Sequence, residues 1–366
     1  MIKKKSLISS NGGLETHAII TASDPMLPFS AQLAEVMEGY STLISGFSGK
    51  MKPVFCRWFL SDAANQAALL PELKGCAVSV VEQPPLSMTK VALWVWAMEI
   101  DSVTILADGS VTASDNGGYT HIFEGSRNRP GIDSEKATYE MLRATEDILH
   151  DFDASLLDNC VRTWFFVQNV DVNYAGVVEG RNRAFSELGL TPSTRFIAST
   201  GIGGRHSDRK VTVQMDSYSV KGLEKGQMRQ INAPEYLNPT YEYGVAFERA
   251  TAVDYGDRRH LFISGTASID NRGEVVWEGD IRRQTLRMWT NVEALLKAAD
   301  CDWADVGQIL VYLRDPADYP VVAEMFEERF PDTPHIILLA PVCRPGWLIE
   351  MECMAMKPIS TDFLPF

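Results

Sequence analysis

The chain has 366 residues, 45% of them hydrophobic and 22% charged, and a formal net charge of −14 at pH 7. That length exceeds one ordinary core, so two or three units are expected, and the composition excludes a disordered or fibrous chain. The acidic balance argues against a nucleic-acid partner, because such affinity comes largely from Lys and Arg neutralising phosphates. No run of about 18 apolar residues is present, so no membrane span is expected.

Met1–Ile8, with Lys3, Lys4 and Lys5, starts like a secretory n-region, but Ser9–Gly13 interrupt any apolar continuation, so no leader is expected. The first hundred residues offer a helix near Ser30–Leu43, a strand at Val54–Leu60 and a helix near Asp62–Leu73, then strands at Ala77–Glu82 and Lys90–Ala97. Next, Val103–Leu106 and Val111–Ala113 flank Asp108-Gly109, a hairpin signal. A helix is predicted over Ser134–Phe152, a strand over Val161–Val167 and a helix over Asn173–Leu188. Strands follow at Thr194–Ser199 and Lys210–Tyr218.

In the last third, Val245–Val253 and His260–Ser268 read as strands, Asp270–Gly273 as a turn and Val275–Trp277 as a short strand. Asp280 opens a helix to Ala299. A strand at Val306–Leu313, a helix at Tyr319–Phe330 stopped by Pro331, and strands at Ile336–Ala340 and Leu348–Met356 complete it.

The order β-β-β-α-β-α-β-β recurs in the middle and last thirds. Tyr174 and Phe185 stand eleven apart, as do Tyr319 and Phe330, each pair bracketing the second helix. A weaker copy fills the start. The expected units are therefore 1–100, 101–225 and 240–358, a tandem repeat of one α/β (α+β) fold.

The six cysteines, Cys56, Cys76, Cys160, Cys301, Cys343 and Cys353, lack the close spacing of zinc or disulfide frameworks. No HExxH, P-loop or GxSxG motif is present. The expectation is a cytoplasmic protein with reduced thiols and neither metal nor cofactor.

Four segments of the last third resemble the YjgF/Rid family: Ile263-Ser264-Gly265-Thr266; Gly279-Asp280-Ile281 with Gln284-Thr285 and Asn291-Val292; Val311 to Asp315; and Ile349-Glu350-Met351-Glu352. The resemblance implies a chorismate-mutase-like unit, homotrimers with clefts between neighbours, and enamine or imine hydrolysis. It also implies an arginine near the start of the penultimate strand that grips the substrate carboxylate. His335 holds that position by ungapped counting, and Arg195 is a candidate displaced analogue. Over a longer stretch, from Arg162 to Met356, the chain resembles the chorismatases. Arg162-Thr163-Trp164, Arg181 to Phe185, Ala198 to Gly203 and Phe247-Glu248-Arg249-Ala250 carry this, with Cys343 seven residues before Glu350 as in the 3-hydroxybenzoate-forming branch. Those enzymes remove pyruvate from chorismate without a cofactor. Glu248, where the family segment has serine, and Ala267 leave the branch open.

Chorismate is a small dicarboxylate with an enol ether, so its site needs guanidinium groups and a proton donor. Glu350 is an acid inside an apolar strand, and alternation puts it on one face with Glu352; burial would suit it as the catalytic acid, while a solvated edge is the alternative. Arg249 and Arg314 are the expected carboxylate partners, with Arg205 after the glycine-rich Gly201–Gly204 segment. Cys343, Tyr312, Tyr243 and Ala267 complete the expected substrate-binding set. The expected whole is an intrachain pseudo-trimer with one competent cleft, monomeric or a weak homo-oligomer, acting on chorismate or a similar small carboxylate. A Rid-like enamine/imine deaminase and a non-catalytic metabolite-binding protein are the alternatives.

Overall fold

The computed structural model describes residues 1–106 and 111–366, and the Tyr243 side chain is also outside what is described. Asp108-Gly109 therefore lies outside the described residues.

The described residues form three sheets in chain order. The first contains β1 (Ile2–Ile8), β2 (Leu14–Thr21), β3 (Met51–Leu60), β4 (Ala77–Glu82) and β5 (Val91–Glu99), ordered β1-β2-β5-β3-β4. The second contains β6 (Ser102–Ile105), β7 (Val111–Asn116), β8 (Tyr119–Asn128), β9 (Cys160–Val167), β10 (Ala198–Gly203) and β11 (Val213–Lys221), ordered β6-β7-β8-β11-β9-β10. The third contains β12 (Met228–Ile231), β13 (Ala250–Asp254), β14 (Arg258–Ala267), β15 (Val306–Leu313), β16 (His335–Leu339) and β17 (Ile349–Pro358), ordered β12-β13-β14-β17-β15-β16. Each sheet thus has the same plan: an antiparallel hairpin, then the last strand, then a parallel pair joined by a crossover.

The helices follow the same plan. They are α1 (Phe29–Ser45) and the single turn α2 (Ala63–Gln66) in the first part. The middle part has α3 (Ser134–Asp151), the short α4 (Leu156–Asn159) and α5 (Val170–Glu187), and the last has α6 (Ile281–Ala298) and α7 (Tyr319–Arg329). None among the described residues is long and apolar enough to cross a membrane. The chain is a mixed α+β fold of three like-ordered sheets.

The shared plan extends to register. Each parallel pair ends on one rung: Leu60 with Glu82, Val167 with Gly203, and Leu313 with Leu339. One rung in, three four-residue rows match. They are Thr21–Ala92–Phe59–Val81, Asn128–Gln214–Phe166–Ile202 and Ala267–Glu350–Tyr312–Leu338. Only the third row carries an acid.

The sheets meet head to tail: β4 packs on β8, β10 on β14, and β15 on β1 and β2. Aromatic rings fill the shared interior, with Phe55 stacked on Trp164 at 6.1 Å and Tyr218 against Trp96 at 5.1 Å and Phe262 at 5.5 Å. Buried ion pairs cross each junction. Arg57 on β3 reaches Asp216 on β11 at 2.8 Å, Arg162 on β9 reaches Glu352 on β17 at 2.7 Å, and Glu15 on β2 accepts from Arg258 at 3.1 Å and His260 at 2.7 Å. A charge stripped of water tolerates only its partner, so these pairs fix how the sheets dock.

Several expected elements shift. The leader-like start is β1, an edge strand on which three lysines discourage pairing with a further chain. The order β-β-β-α-β-α-β-β holds for the third sheet, but its third strand is β12 upstream, not Val275–Trp277. There only an isolated bridge joins Ile269 to Val275, and Trp277 sits at φ 63°, which ends any strand. The helix expected over Asp62–Leu73 stops early, as one turn followed by a 3₁₀ turn at Ala67–Leu69. The strand expected at Thr194–Ser199 is β10, four residues later.

Candidate active site

Glu350 is the second residue of β17, which runs between β14 and β15 and is therefore a central strand, not an edge. Its side chain is buried, at 4% exposure. Burial first, and then the nearby charge of Glu352, push its carboxyl up to about 8, against the opposing pull of Arg162 and Arg249. The acid is thus held protonated near neutrality, as a proton donor requires.

The backbone opposite makes room for it. A bulge in β14 between Ile263 and Thr266 sets Gly265 beside the carboxyl, where a Cβ would fall 2.1 Å from Glu350 Oε1. Gly265 N–H donates to Thr200 Oγ1 on β10 at 2.9 Å, joining the second sheet to the third. Gly201 is equally constrained, its Cβ position lying 2.6 Å from the Tyr174 ring. Gly265→Ala is expected to displace the carboxyl and cut activity more than tenfold with circular dichroism unchanged; retained activity would show that the acid's position does not matter.

These contacts line a cleft at the junction of the second and third sheets. Tyr174 and Arg181 enter from α5, Ser199 to Gly201 from β10, and Arg249, Ala267, Cys343 and Glu350 from the third sheet. The cleft spans about 560 Å³ out to its mouth. The loop before β17 forms one wall. Arg344 and Trp347, stacked at 4.8 Å on the loop before β17, stand at that wall.

Besides Arg344 at the wall, Arg249 and Arg181 line the cleft. Arg249, 4% exposed, is fixed by the Asn238 carbonyl oxygen at 3.0 Å and its side-chain oxygen at 3.1 Å. Arg181 is 1% exposed, and its Nε and Nη2 have no hydrogen-bond acceptor among the described residues. Phe247 lies beneath both, its centroid 5.8 Å from Arg181 and 5.4 Å from Arg249. A buried cation without an acceptor is costly, and an anionic ligand would supply what is missing.

Of the residues expected from sequence, Glu350, Arg249, Cys343 and Ala267 come together in this cleft. Burial, then Glu350, push the Cys343 thiol up to about 12, despite a hydrogen bond involving Tyr174, so it is a neutral wall rather than a nucleophile. Arg314 lies outside the cleft lining: it donates to the Val342 carbonyl at 2.6 Å and to Asp171 at 2.5 Å, clamping the segment that leads to Cys343. Tyr312 shares the Glu350 rung but is wholly buried, its hydroxyl without a partner among the described residues. Arg205 is half exposed at another junction, 3.4 Å from Glu82, because β10 carries it past the cleft. Tyr243 has no described side chain. Arg195 spends its guanidinium on the carbonyls of Leu156 and Leu157, and His335 opens β16 at the junction of the third and first sheets.

Sequence reasoning did not single out Arg181, Tyr174 or Trp347 for the site. The signal for Arg181 was an arginine on the buried stripe of α5, in line with Val177, Ala184 and Phe185. Among the described residues, no group of three or more His, Cys, Asp or Glu side chains is placed to hold a metal ion.

The Endoribonuclease L-PSP family model matches residues 248–357. A RutC family protein of Pyrococcus abyssi is 36% identical over 100 residues, covering 26% of this chain and 78% of that protein. The 3-hydroxybenzoate synthase of Streptomyces hygroscopicus is 27% identical over 291 residues, 72% of this chain and 81% of that protein. A chorismatase crystal structure superposes with a TM-score of 0.66 at 20% identity, covering 83% of this chain and 92% of the other. Through its last third the chain belongs to the YjgF/Rid family, also described as Endoribonuclease L-PSP, within a longer polypeptide that has the chorismatase fold.

Proposed function

We propose that the protein is a cofactor-free enzyme that releases pyruvate from chorismate or a closely similar enol-ether carboxylate. The observation that carries this reading is a buried Glu350, its carboxyl raised by burial, in one cleft with Arg249 and with Arg181, two of whose nitrogens lack an acceptor among the described residues. The similarity to a 3-hydroxybenzoate synthase over most of the chain supports it. The units 1–100, 101–225 and 240–358 are read as an intrachain pseudo-trimer. Of its three equivalent rows, only the one with Glu350 carries a proton donor.

In this reading the arginines hold the substrate carboxylates and Glu350 protonates the enol-ether methylene carbon, giving an oxocarbenium ion. Water adds to that cation and returns one proton to Glu350, leaving a hemiketal. As the hemiketal collapses, its hydroxyl proton passes to the ether oxygen while that C–O bond breaks, so pyruvate and the ring alcohol are released.

Incubation of purified protein with chorismate, with pyruvate measured by a coupled dehydrogenase, tests the reaction; no pyruvate above the uncatalysed rate refutes it. Because Glu350 must carry its proton, kcat/KM is expected to fall above about pH 8 along a single ionisation, in line with its raised carboxyl. A profile flat to pH 9.5 would remove Glu350 from the role of acid. A second reading, hydrolysis of enamines or imines, is favoured by the RutC relatives, one of them described as a 3-aminoacrylate deaminase of Acinetobacter baylyi. Imines generated in the same assay separate the two.

A further inference from the structure

The register that singles out Glu350 also relates its cleft to a second one. Three rungs along the parallel pairs, Ser199 to Gly201 on β10 correspond step for step to His335 to Ile337 on β16. On the facing strand, Ala267 corresponds to Thr21. Beyond the β14 bulge, Ile263 corresponds to Ala18, since their partners Cys353 and Val95 lie equally far from Glu350 and Ala92. Ile263 pairs with Ala250 and Ala18 with Lys4, so Arg249 corresponds to Lys3. Tyr174 corresponds to Tyr319, the pair already marked by the eleven-residue spacing to Phe185 and Phe330.

Lys3, Thr21, Tyr319 and His335 to Ile337 all line one cleft, at the junction of the third and first sheets. It is roomier than the first, spanning about 920 Å³ to its mouth with about 270 Å³ open to water. The Lys3 ammonium stands 2.7 Å from Glu327, which also lies 3.4 Å from the His335 ring; because Glu327 is more than half exposed, solvent screens that pairing and an incoming carboxylate can compete for the ammonium. Thr89, buried, adds a hydroxyl from the loop before β5, the counterpart of the loop that carries Cys343. The decisive difference is on the last strand, where Ala92 stands in place of Glu350 and that buried acid is missing.

We infer that this second cleft binds a small organic carboxylate without converting it, the Lys3 ammonium taking the carboxylate and the Thr89 and Tyr319 hydroxyls its remaining polar groups. The inference does not depend on what the Glu350 cleft turns over.

The test uses crystals of the whole chain soaked with 3-bromobenzoate, the bromine being located by anomalous scattering. Bromine is expected between Lys3 and Tyr319 as well as beside Glu350. Lys3→Ala should empty the former and spare the latter; Lys3→Gln, which keeps the stem of this edge-strand side chain, should do the same if alanine disturbs β1. Arg181→Met should empty only the Glu350 cleft. An empty Lys3 cleft in crystals whose Glu350 cleft is filled, or bromine that survives both Lys3 substitutions, overturns the inference. Absence of chorismate turnover would leave it untouched.

Discussion

Glu350→Gln is expected to lower kcat by about 10²- to 10⁴-fold, the usual contribution of a positioned general acid, with little change in KM. Gln keeps the shape of the side chain beside Gly265 but has no proton to give. The same variant carries a stability signature of definite sign. The folded carboxyl loses its proton near 8, whereas an unfolded glutamate does so near 4.5. Between those values the unfolded chain ionises while the folded chain does not, so the native protein loses stability as pH rises, at about 1.4 kcal/mol per unit at most. The Gln variant escapes that loss. Its urea midpoint should match the native protein's near pH 4.5 and exceed it increasingly towards pH 8. Full activity, or midpoints that stay parallel across that range, would contradict the assignment.

Arg181→Met should weaken substrate binding, raising KM by about 10- to 100-fold through loss of a charge-assisted carboxylate contact, with a smaller effect on kcat. Its effect on stability distinguishes a ligand-directed arginine from a structural one. The guanidinium is buried with two nitrogens lacking an acceptor among the described residues. Its replacement by an apolar side chain of similar length should leave the free protein as stable or more so. A structural arginine would behave in the opposite way, with a lowered urea midpoint and an unchanged KM.

The elements legible in the sequence were those whose burial leaves a pattern. Val306–Leu313 and Ala77–Glu82 are apolar runs bounded by turns, and both are strands with those ends. Strands β1, β2 and β8 escaped because lysines, histidines and glutamates interrupt their apolar pattern, several of them buried against residues from other parts of the chain. His17, Glu15 and Glu124 are all buried among such contacts. Glu350 was legible as an acid in an apolar run. Of the arginines beside it, Arg249 was legible from its motif but Arg181 was not, because alternation and motif give the face of a strand but not the junction it closes. Arg314 and Arg205 lie on or beside the right strands yet clamp a loop and pair with Glu82. Scattered cysteines were similarly uninformative: Cys56 and Cys76, twenty residues apart, are free thiols, the Cys76 S–H donating to the Cys56 sulfur at 3.8 Å with no disulfide between them.

The most direct measurement is a ¹³C NMR titration of glutamate side-chain carboxyls, with the resonance of Glu350 identified by its loss in the Gln variant. A midpoint near 8, shifted when a small carboxylate occupies the cleft, is what a sealed acid facing Arg181 and Arg249 requires. A midpoint near 4.5, unmoved by such a ligand, would mean a solvated acid and no anion pocket beside it.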